Sequence, residues 1–379
     1  MIKINSFYPN YFVNVGIAGA AYNIIKAMQS PNSQVKLMGI ASIATFNDAF
    51  YQNAIPNFAK RIAYKILSDK SIKTISEHIF LGSIKKSDYV YLWPGISLEI
   101  HKKIKKIGCK IIYEGVNTPA SNIKAILDAE YANLKLPITH GVTQEQIAEE
   151  LEILEQCDYV FSCSPTMRFC FLGIGVPKAK ILDTSYGLST SAILDSVSAG
   201  DKRTAQPTFI FVGSIGVRKG THLLLDYWVK AKLNAKLIIV GNIEEAVKPI
   251  VTPYFGKHNI EHVAYTSDLS IIYKNADVFI LPSLEEGSPL VTYMALGAGL
   301  PVIVSPMGGG GVIVDGEDGF VIEPHDELKW VEAMRLLAEN ESLRAKLSTN
   351  SKQKARRYTW DVVGAARLNS LIKAEGKSV

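Results

Sequence analysis

Short apolar runs rich in β-branched residues alternate along this chain with stretches whose apolar positions recur at helical spacing. That is the pattern of parallel strands flanked by helices. In the first half it predicts strands at Lys3–Phe7, Val35–Ile40, Tyr89–Trp93, Lys110–Tyr113, Tyr159–Cys163 and Lys180–Asp183. Helices fall between them, among them Ala18–Met28, Ser97–Ile107 and Gln144–Gln156. Residues Leu188–Gln206, rich in Ser, Thr, Ala, Asp and Gly, read as a linker. The alternation restarts at Thr208–Val212 and continues with Lys236–Val240, His262–Tyr265, Val278–Leu281 and Val302–Ser305, and the chain is helical from Asp326 to about Ala374. The boundaries that follow are an N-terminal domain over 1–187, a linker over 188–206 and a second α/β domain over 207–357. A C-terminal helix over 358–379 is placed to cross back onto the first domain. A ligand is expected in the cleft between two such halves.

Size agrees with this division, since 379 residues suffice for two α/β domains with full cores. Hydrophobic content of 47% against 20% charged argues against long disordered tails. No run of 18 apolar residues occurs, so neither a signal peptide nor a membrane span is expected, and a cytoplasmic location is. Cys109, Cys157, Cys163 and Cys170 lack CxxC spacing and a nearby histidine, which predicts buried free thiols in a reducing compartment and no metal site. The net charge of +5 conceals an asymmetry: residues 1–110 hold 15 Lys and Arg against 5 Asp and Glu. Part of the excess, from Lys60 and Arg61 to Lys73, lies beside Phe58, Ile62 and Ile66 at helical spacing. Such a basic amphipathic face suits a peripheral contact with an anionic membrane, while a solvated helix surface explains it equally. No aromatic-interleaved basic motif accompanies the charge, so nucleic acid is not an expected partner.

Two segments carry candidate chemistry. In Phe209–Gly220 a strand runs into Gly213-Ser214-Ile215-Gly216-Val217-Arg218-Lys219-Gly220 and a helix opens near Lys219. Glycines admit a diphosphate close to the backbone, and Arg218 with Lys219 supplies two cations; a tight turn with surface cations is the plainer alternative. The spacing is neither a dinucleotide GxGxxG nor a Walker loop, and a dinucleotide oxidoreductase finds no support. In the second segment, the strand ending at Leu281 leads through Pro282-Ser283-Leu284-Glu285-Glu286-Gly287-Ser288-Pro289-Leu290-Val291 into a helix over Ser288–Ala298, followed by Gly299-Leu300-Pro301-Val302. A carboxylate there suits sugar hydroxyls, and free helix amides suit phosphate. Together they predict a sugar-nucleotide site.

These residues resemble family 4 glycosyltransferases, in which an Arg and a Lys hold the donor diphosphate and a PS-x-x-EG…EA…G-x-P-V block follows. Ala276-Asp277-Val278-Phe279, Tyr358-Thr359-Trp360 and Tyr186-Gly187-Leu188 match that family's surroundings, and Tyr113–Thr118 with Ile126–Tyr131 is similar to one bacterial branch. The likeness runs from about residue 110 to the C terminus. It implies a GT-B fold, an α/β architecture of two facing Rossmann-like domains with an interdomain cleft, and retaining transfer without bound metal or cofactor.

The donor implied is a UDP- or GDP-sugar, and the acceptor a glycan or a lipid-linked glycan in surface polysaccharide synthesis. Arg218 and Lys219 would neutralise the diphosphate. Glu286, which directly precedes the glycine, would contact the transferred sugar, with Glu285 as the alternative. Gly16, Gly213, Ser214, Gly287, Ser288, Pro289, Leu290, Val291 and Met294 would line the donor site, and Tyr265 would border the nucleobase. Asn117, Thr118 and His140 are the acceptor-side candidates.

Two positions depart from the family pattern. The second Glu, eight residues after the first, is Met294 here, and the acceptor-loop histidine is Pro119. Both losses bear on catalysis rather than on fold, and they motivate a second reading, a catalytically impaired glycosyltransferase-like binding or partner subunit.

Overall fold

A computed structural model describes residues 2–13, 15–43, 46–193, 206–264, 266 and 269–376. Its strands form two sheets that are parallel throughout. The first contains β1 (Ile2–Tyr8), β2 (Ser33–Gly39), β3 (Tyr51–Asn53), β4 (Tyr89–Leu92), β5 (Lys110–Gly115), β6 (Tyr159–Ser162) and β7 (Ile181–Asp183), in the order β3-β2-β1-β4-β5-β6-β7. The second contains β8 (Thr208–Val212), β9 (Lys236–Val240), β10 (Ile260–Val263), β11 (Val278–Leu281), β12 (Val302–Val304) and β13 (Gly319–Val321), in the order β10-β9-β8-β11-β12-β13. Strands β4, β8 and β11 are buried along their whole length, because helices cover both faces of each sheet. That is why they read as unbroken apolar runs rather than as alternating ones.

Strand order reverses between β1 and β4 in the first sheet and between β8 and β11 in the second, where Ile4 pairs with Tyr89 and Phe209 with Val278. Open α/β sheets bind ligands at the carboxyl ends of strands flanking such a reversal. Both chemistry-bearing segments emerge there, after β8 and after β11.

The chain returns to the first domain at its end. Leu188 pairs with the 358–360 segment (its amide donates to Tyr358 O at 2.9 Å, and Trp360 N donates to Leu188 O at 3.1 Å). The Trp360–Ala374 helix then lies on the Gly16–Ala27 helix so closely that a Cβ on Gly364 would fall 2.3 Å from that of Ala27. From this helix Arg367 enters the first domain's core, where it is fully buried. It donates to Glu114 Oε2 at 2.6 Å, to the Tyr91 hydroxyl at 2.7 Å and to Ser185 O at 2.9 Å.

Differences from the pattern-based reading are local. Strands β3 and β13 span three residues each, too few to show a period. The helix expected near Lys219 begins at Thr221, after Gly220 at φ +64°, and the one expected from Ser288 begins at Leu290. The strand expected at His262–Tyr265 is Ile260–Val263; Tyr265 lies outside the described residues, as does 194–205 of the linker. Cys109, Cys157 and Cys163 are buried free thiols and Cys170 is half-buried. Burial pushes the Cys157 thiol up to about 12.

Candidate functional site

The loop after β8 and the loop after β11 are held against each other by backbone contact. Leu284 N donates to Arg218 O at 2.9 Å. Gly220 faces the carbonyl of Pro282 so closely that a Cβ would lie 2.1 Å from that oxygen, and its positive φ also favours glycine. This register places Arg218 and Lys219 beside Glu285 and Glu286. The Arg218 guanidinium lies 3.1 Å from Glu286 Oε1 and 3.6 Å from Glu285 Oε2, and Lys219 Nζ pairs closely with Glu286 Oε1. Lys219 is 8% exposed, so both charges of that pair sit in a poorly solvated pocket. Burial works against the Arg218 charge, yet the carboxylates of Glu286 and Glu285 hold its pKa above the ordinary value. Ser214 donates to Glu244 Oε1 at 3.1 Å, which adds a third carboxylate to the rim of the glycine loop.

Glu285 also reaches across the gap between domains with its other oxygen. Its Oε1 accepts from Thr118 N at 3.2 Å and from Thr118 Oγ1 at 2.8 Å. One residue on, a Cβ on Gly287 would fall 1.9 Å from Val116 O, so only glycine lets the domains meet there. A second bridge lies at Glu130, whose Oε1 is 2.7 Å from His222 Nε2 and whose Oε2 is 3.4 Å from His325 Nε2. Burial raises the Glu130 carboxyl, but the hydrogen bond and charge of His222 outweigh it and hold the pKa below the ordinary range.

Burial, reinforced by the neighbouring Glu286, raises the pKa of Glu285 from its ordinary 4.5, against Arg218 and the two Thr118 hydrogen bonds. The folded chain therefore keeps this proton to higher pH than the unfolded chain. Stability falls as pH rises through the window between the two values, and the full cost of the charge is present above it. Glu285→Gln keeps an oxygen for Thr118 and removes the charge. The variant should melt higher than wild type at about pH 8, and the gap should close as pH falls below the window. A melting-temperature difference that does not vary with pH would refute this.

The remaining candidates fall into three groups. Gly213, Ser214, Gly287, Ser288 and Pro289 belong to the two apposed loops, with Ser288 Oγ 2.7 Å from the Tyr293 hydroxyl. Leu290, Val291 and Met294 lie half-buried on the Leu290–Gly297 helix, and Gly16 opens the Gly16–Ala27 helix in open space. Asn117 is exposed and Thr118 buried beside the gap. His140 has both ring nitrogens engaged locally: Nδ1 accepts from Val142 N at 3.1 Å, and Nε2 is 2.8 Å from Asp128 Oδ1. The structure thus engages His140 with the Ala120–Asn133 helix through Asp128 and with its own loop through Val142 N. Pro119 precedes the Ala120–Asn133 helix at its cap position. Thr118 bonding to Glu285, His222 bonding to Glu130, and Glu244 were not anticipated as a set, because each pair is separated by a long stretch of sequence.

Two parallel-sheet domains that meet across their strand-reversal points, with the C-terminal helix returned to the first, define a GT-B fold. Residues 196–354 match the model of the family described as glycosyl transferases group 1. A D-inositol 3-phosphate glycosyltransferase of Corynebacterium glutamicum is 32% identical over 178 residues, 42% of this chain and 42% of that protein. The capsular polysaccharide biosynthesis glycosyltransferase CapM of Staphylococcus aureus is 27% identical over 179 residues, 44% of this chain and 47% of that one. The chain thus spans less than half the length of these relatives. Over the whole chain the fold is similar to sucrose-phosphate synthase from Thermosynechococcus elongatus (TM-score 0.71, 17% identity, 99% of each chain). It is also similar to Anabaena HepE in complex with UDP and glucose (TM-score 0.69, 13% identity, 98% of this chain and 100% of that one).

Proposed function

We propose that this protein is a retaining glycosyltransferase that moves a sugar from a nucleoside-diphosphate donor to a glycan or lipid-linked acceptor, without a metal ion. The observation behind this reading is the convergence of Arg218 and Lys219 with Glu286 where β8 and β11 end, one residue from the interdomain contact of Glu285. As the bond between the sugar and the diphosphate breaks, its electrons leave on phosphate oxygen. Two cations in a poorly solvated pocket stabilise that charge, and the amides opening the Leu290–Gly297 helix add to them. Glu286, paired with both cations in this structure, would turn to the sugar hydroxyls when the diphosphate takes its place. Gly16 would approach the diphosphate from the opposite domain.

UDP in the HepE structure and polysaccharide biosynthesis in the name of CapM support a nucleotide-sugar donor and a surface-glycan product. Incubation with a panel of UDP- and GDP-sugars should release nucleoside diphosphate, and calorimetry should show binding of UDP or GDP. Absence of binding to either at millimolar concentration would favour the second reading, an inactive partner subunit, which Met294 and Pro119 motivate.

The Asn57–Ile66 helix supports a peripheral membrane contact. No residue of it is buried, and Phe58, Ile62 and Ile66 are 86%, 63% and 73% exposed along one stripe, flanked by Lys60, Arg61 and Lys65. Among the described residues no helix is long and apolar enough to cross a membrane. An apolar stripe bordered by cations suits the surface of an anionic bilayer, at about 1 kcal/mol per cation plus the buried apolar area. The triple variant Phe58→Ser, Ile62→Ser, Ile66→Ser should lose at least about tenfold in co-sedimentation with phosphatidylserine-containing vesicles and keep its melting temperature. Equal binding by variant and wild type would remove this helix from the proposal.

A further inference from the structure

A cavity of about 270 Å³ opens at the carboxyl ends of β1, β4 and β5, on the first domain's side of the gap. Tyr8, Trp93 and Tyr113 supply its aromatic wall; Asn10, Asn117, Thr118 and Glu150 supply its polar groups; among the described residues no Lys, Arg or His lines it. Tyr8 is half-buried and braced by the edge of Trp93 at 6.0 Å, while the Trp93 indole N–H is used by Ser6 Oγ. A fixed aromatic side chain with flanking amides suits the C–H faces and hydroxyls of a sugar. The Asn117 amide makes no hydrogen bond among the described residues and is exposed to whatever enters.

Charge is what gives the cavity a preference. Glu150 Oε2 accepts from Ala120 N at 2.7 Å, and its other oxygen has no partner among the described residues. Burial raises this carboxyl and the Ala120 N–H works against that rise; ionised, it accepts from a sugar hydroxyl and repels an anion. Lys124, which follows the lining residue Ile123, is paired with Asp128 at 2.6 Å, and Lys73 is drawn onto Gly95 O and lies 4.0 Å from Glu77. Arg218 and Lys219 stand across the gap, already matched with Glu286 and reserved on the present reading for the donor diphosphate. An acceptor phosphate in this cavity would therefore meet a carboxylate on one side and the donor's negative charge on the other.

We propose that this cavity is the acceptor subsite and that it selects an uncharged, hydroxyl-bearing sugar, rejecting phosphorylated and carboxylated sugars at that position. The inference rests on the glycosyltransferase reading and adds the chemical class of its acceptor.

Saturation-transfer NMR on the full chain with UDP present tests it. The probes are the methyl glycosides of glucose, galactose, mannose and N-acetylglucosamine, their 6-phosphates and methyl glucuronide. At least one neutral glycoside should give a signal that Asn117→Ala weakens, and the 6-phosphates and glucuronide should give none. Glu150→Gln keeps an acceptor oxygen and removes the charge, so it should narrow the preference for the neutral sugar over its 6-phosphate by at least about tenfold. A charged sugar that binds wild type as well as its neutral parent would overturn the proposal. So would a preference unchanged in Glu150→Gln, or no neutral glycoside binding at all. UDP calorimetry on the same samples separates the outcomes: intact UDP binding with the wrong sugar preference sinks only the acceptor class, whereas lost UDP binding in wild type sinks the donor reading itself.

Discussion

Lys219→Met is expected to lower sugar transfer about 10²- to 10³-fold, the cost of removing one preorganised donor from a site of developing negative charge. In the transfer proposed above, what matters is where charge appears during the reaction. The donor diphosphate is already anionic when bound, and one further negative charge develops as the sugar departs. Only the attraction to that further charge accelerates the step, so the loss should fall mainly on kcat and less on donor affinity. The structure adds a second expectation. Glu286 Oε1 lies beside both Lys219 and Arg218, and it competes with phosphate for them. Glu286→Gln should therefore bind UDP more tightly than wild type while transferring sugar more slowly, if the carboxylate contacts the sugar. A carboxylate with only a structural role would weaken both. Turnover of Lys219→Met within threefold of wild type, in a variant that still melts like it, would show that Lys219 does not stabilise the leaving group.

Arg367→Met is expected to destabilise the fold by about 3–5 kcal/mol, the usual cost of leaving one member of a buried ion pair without its partner. Both Arg367 and Glu114 are fully buried, and Arg367 also serves Tyr91 and Ser185. Removing the guanidinium leaves the Glu114 carboxylate at 0% exposure with Tyr91 and Cys163 as its remaining partners. The double variant Arg367→Met, Glu114→Leu takes out both charges and should recover much of the loss, since apolar replacement of a whole buried pair is often neutral. Urea unfolding of the three proteins measures this. Equal destabilisation by the single and the double change would mean that packing of the Trp360–Ala374 helix, rather than charge, is what Arg367 contributes. Because that helix ties the end of the second half to the first domain, the single variant should also separate the domains' unfolding into two transitions.

Much of this molecule was readable along the chain. β8, β9 and β11 appear where continuous apolar runs of four or five residues stand, because a parallel strand covered on both faces admits little else. The juxtaposition of Arg218 and Lys219 with the Glu285–Glu286 segment was foreseeable for the same reason, since both follow strands flanking one reversal point. Partner choice within that cluster was not foreseeable. Directly preceding the glycine favoured Glu286 for the sugar; in the structure Glu286 pairs with both cations, while Glu285 is shared between Thr118 and Arg218. Adjacent residues on a loop have no fixed periodicity, so only backbone geometry decides which way each points. His140 shows the converse: its residue type suggested reach into the cleft, and Asp128 with Val142 N engages it instead.

Sequence alone determined the two α/β halves, the elements that compose them and the residue types available for phosphate and sugar, because burial and turn chemistry act over a few neighbouring positions. The tertiary structure decided what depends on distances between remote segments. It brought Thr118 to Glu285, Glu130 to His222 and Arg367 to Glu114, and among the described residues it left no cation lining the cavity of Tyr8 and Glu150. Those contacts join residues 92 to 253 positions apart. A hydrogen bond or ion pair reaches only a few ångströms, so local pattern cannot specify such pairs before the sheets, the hinge and the returning helix have set the distances.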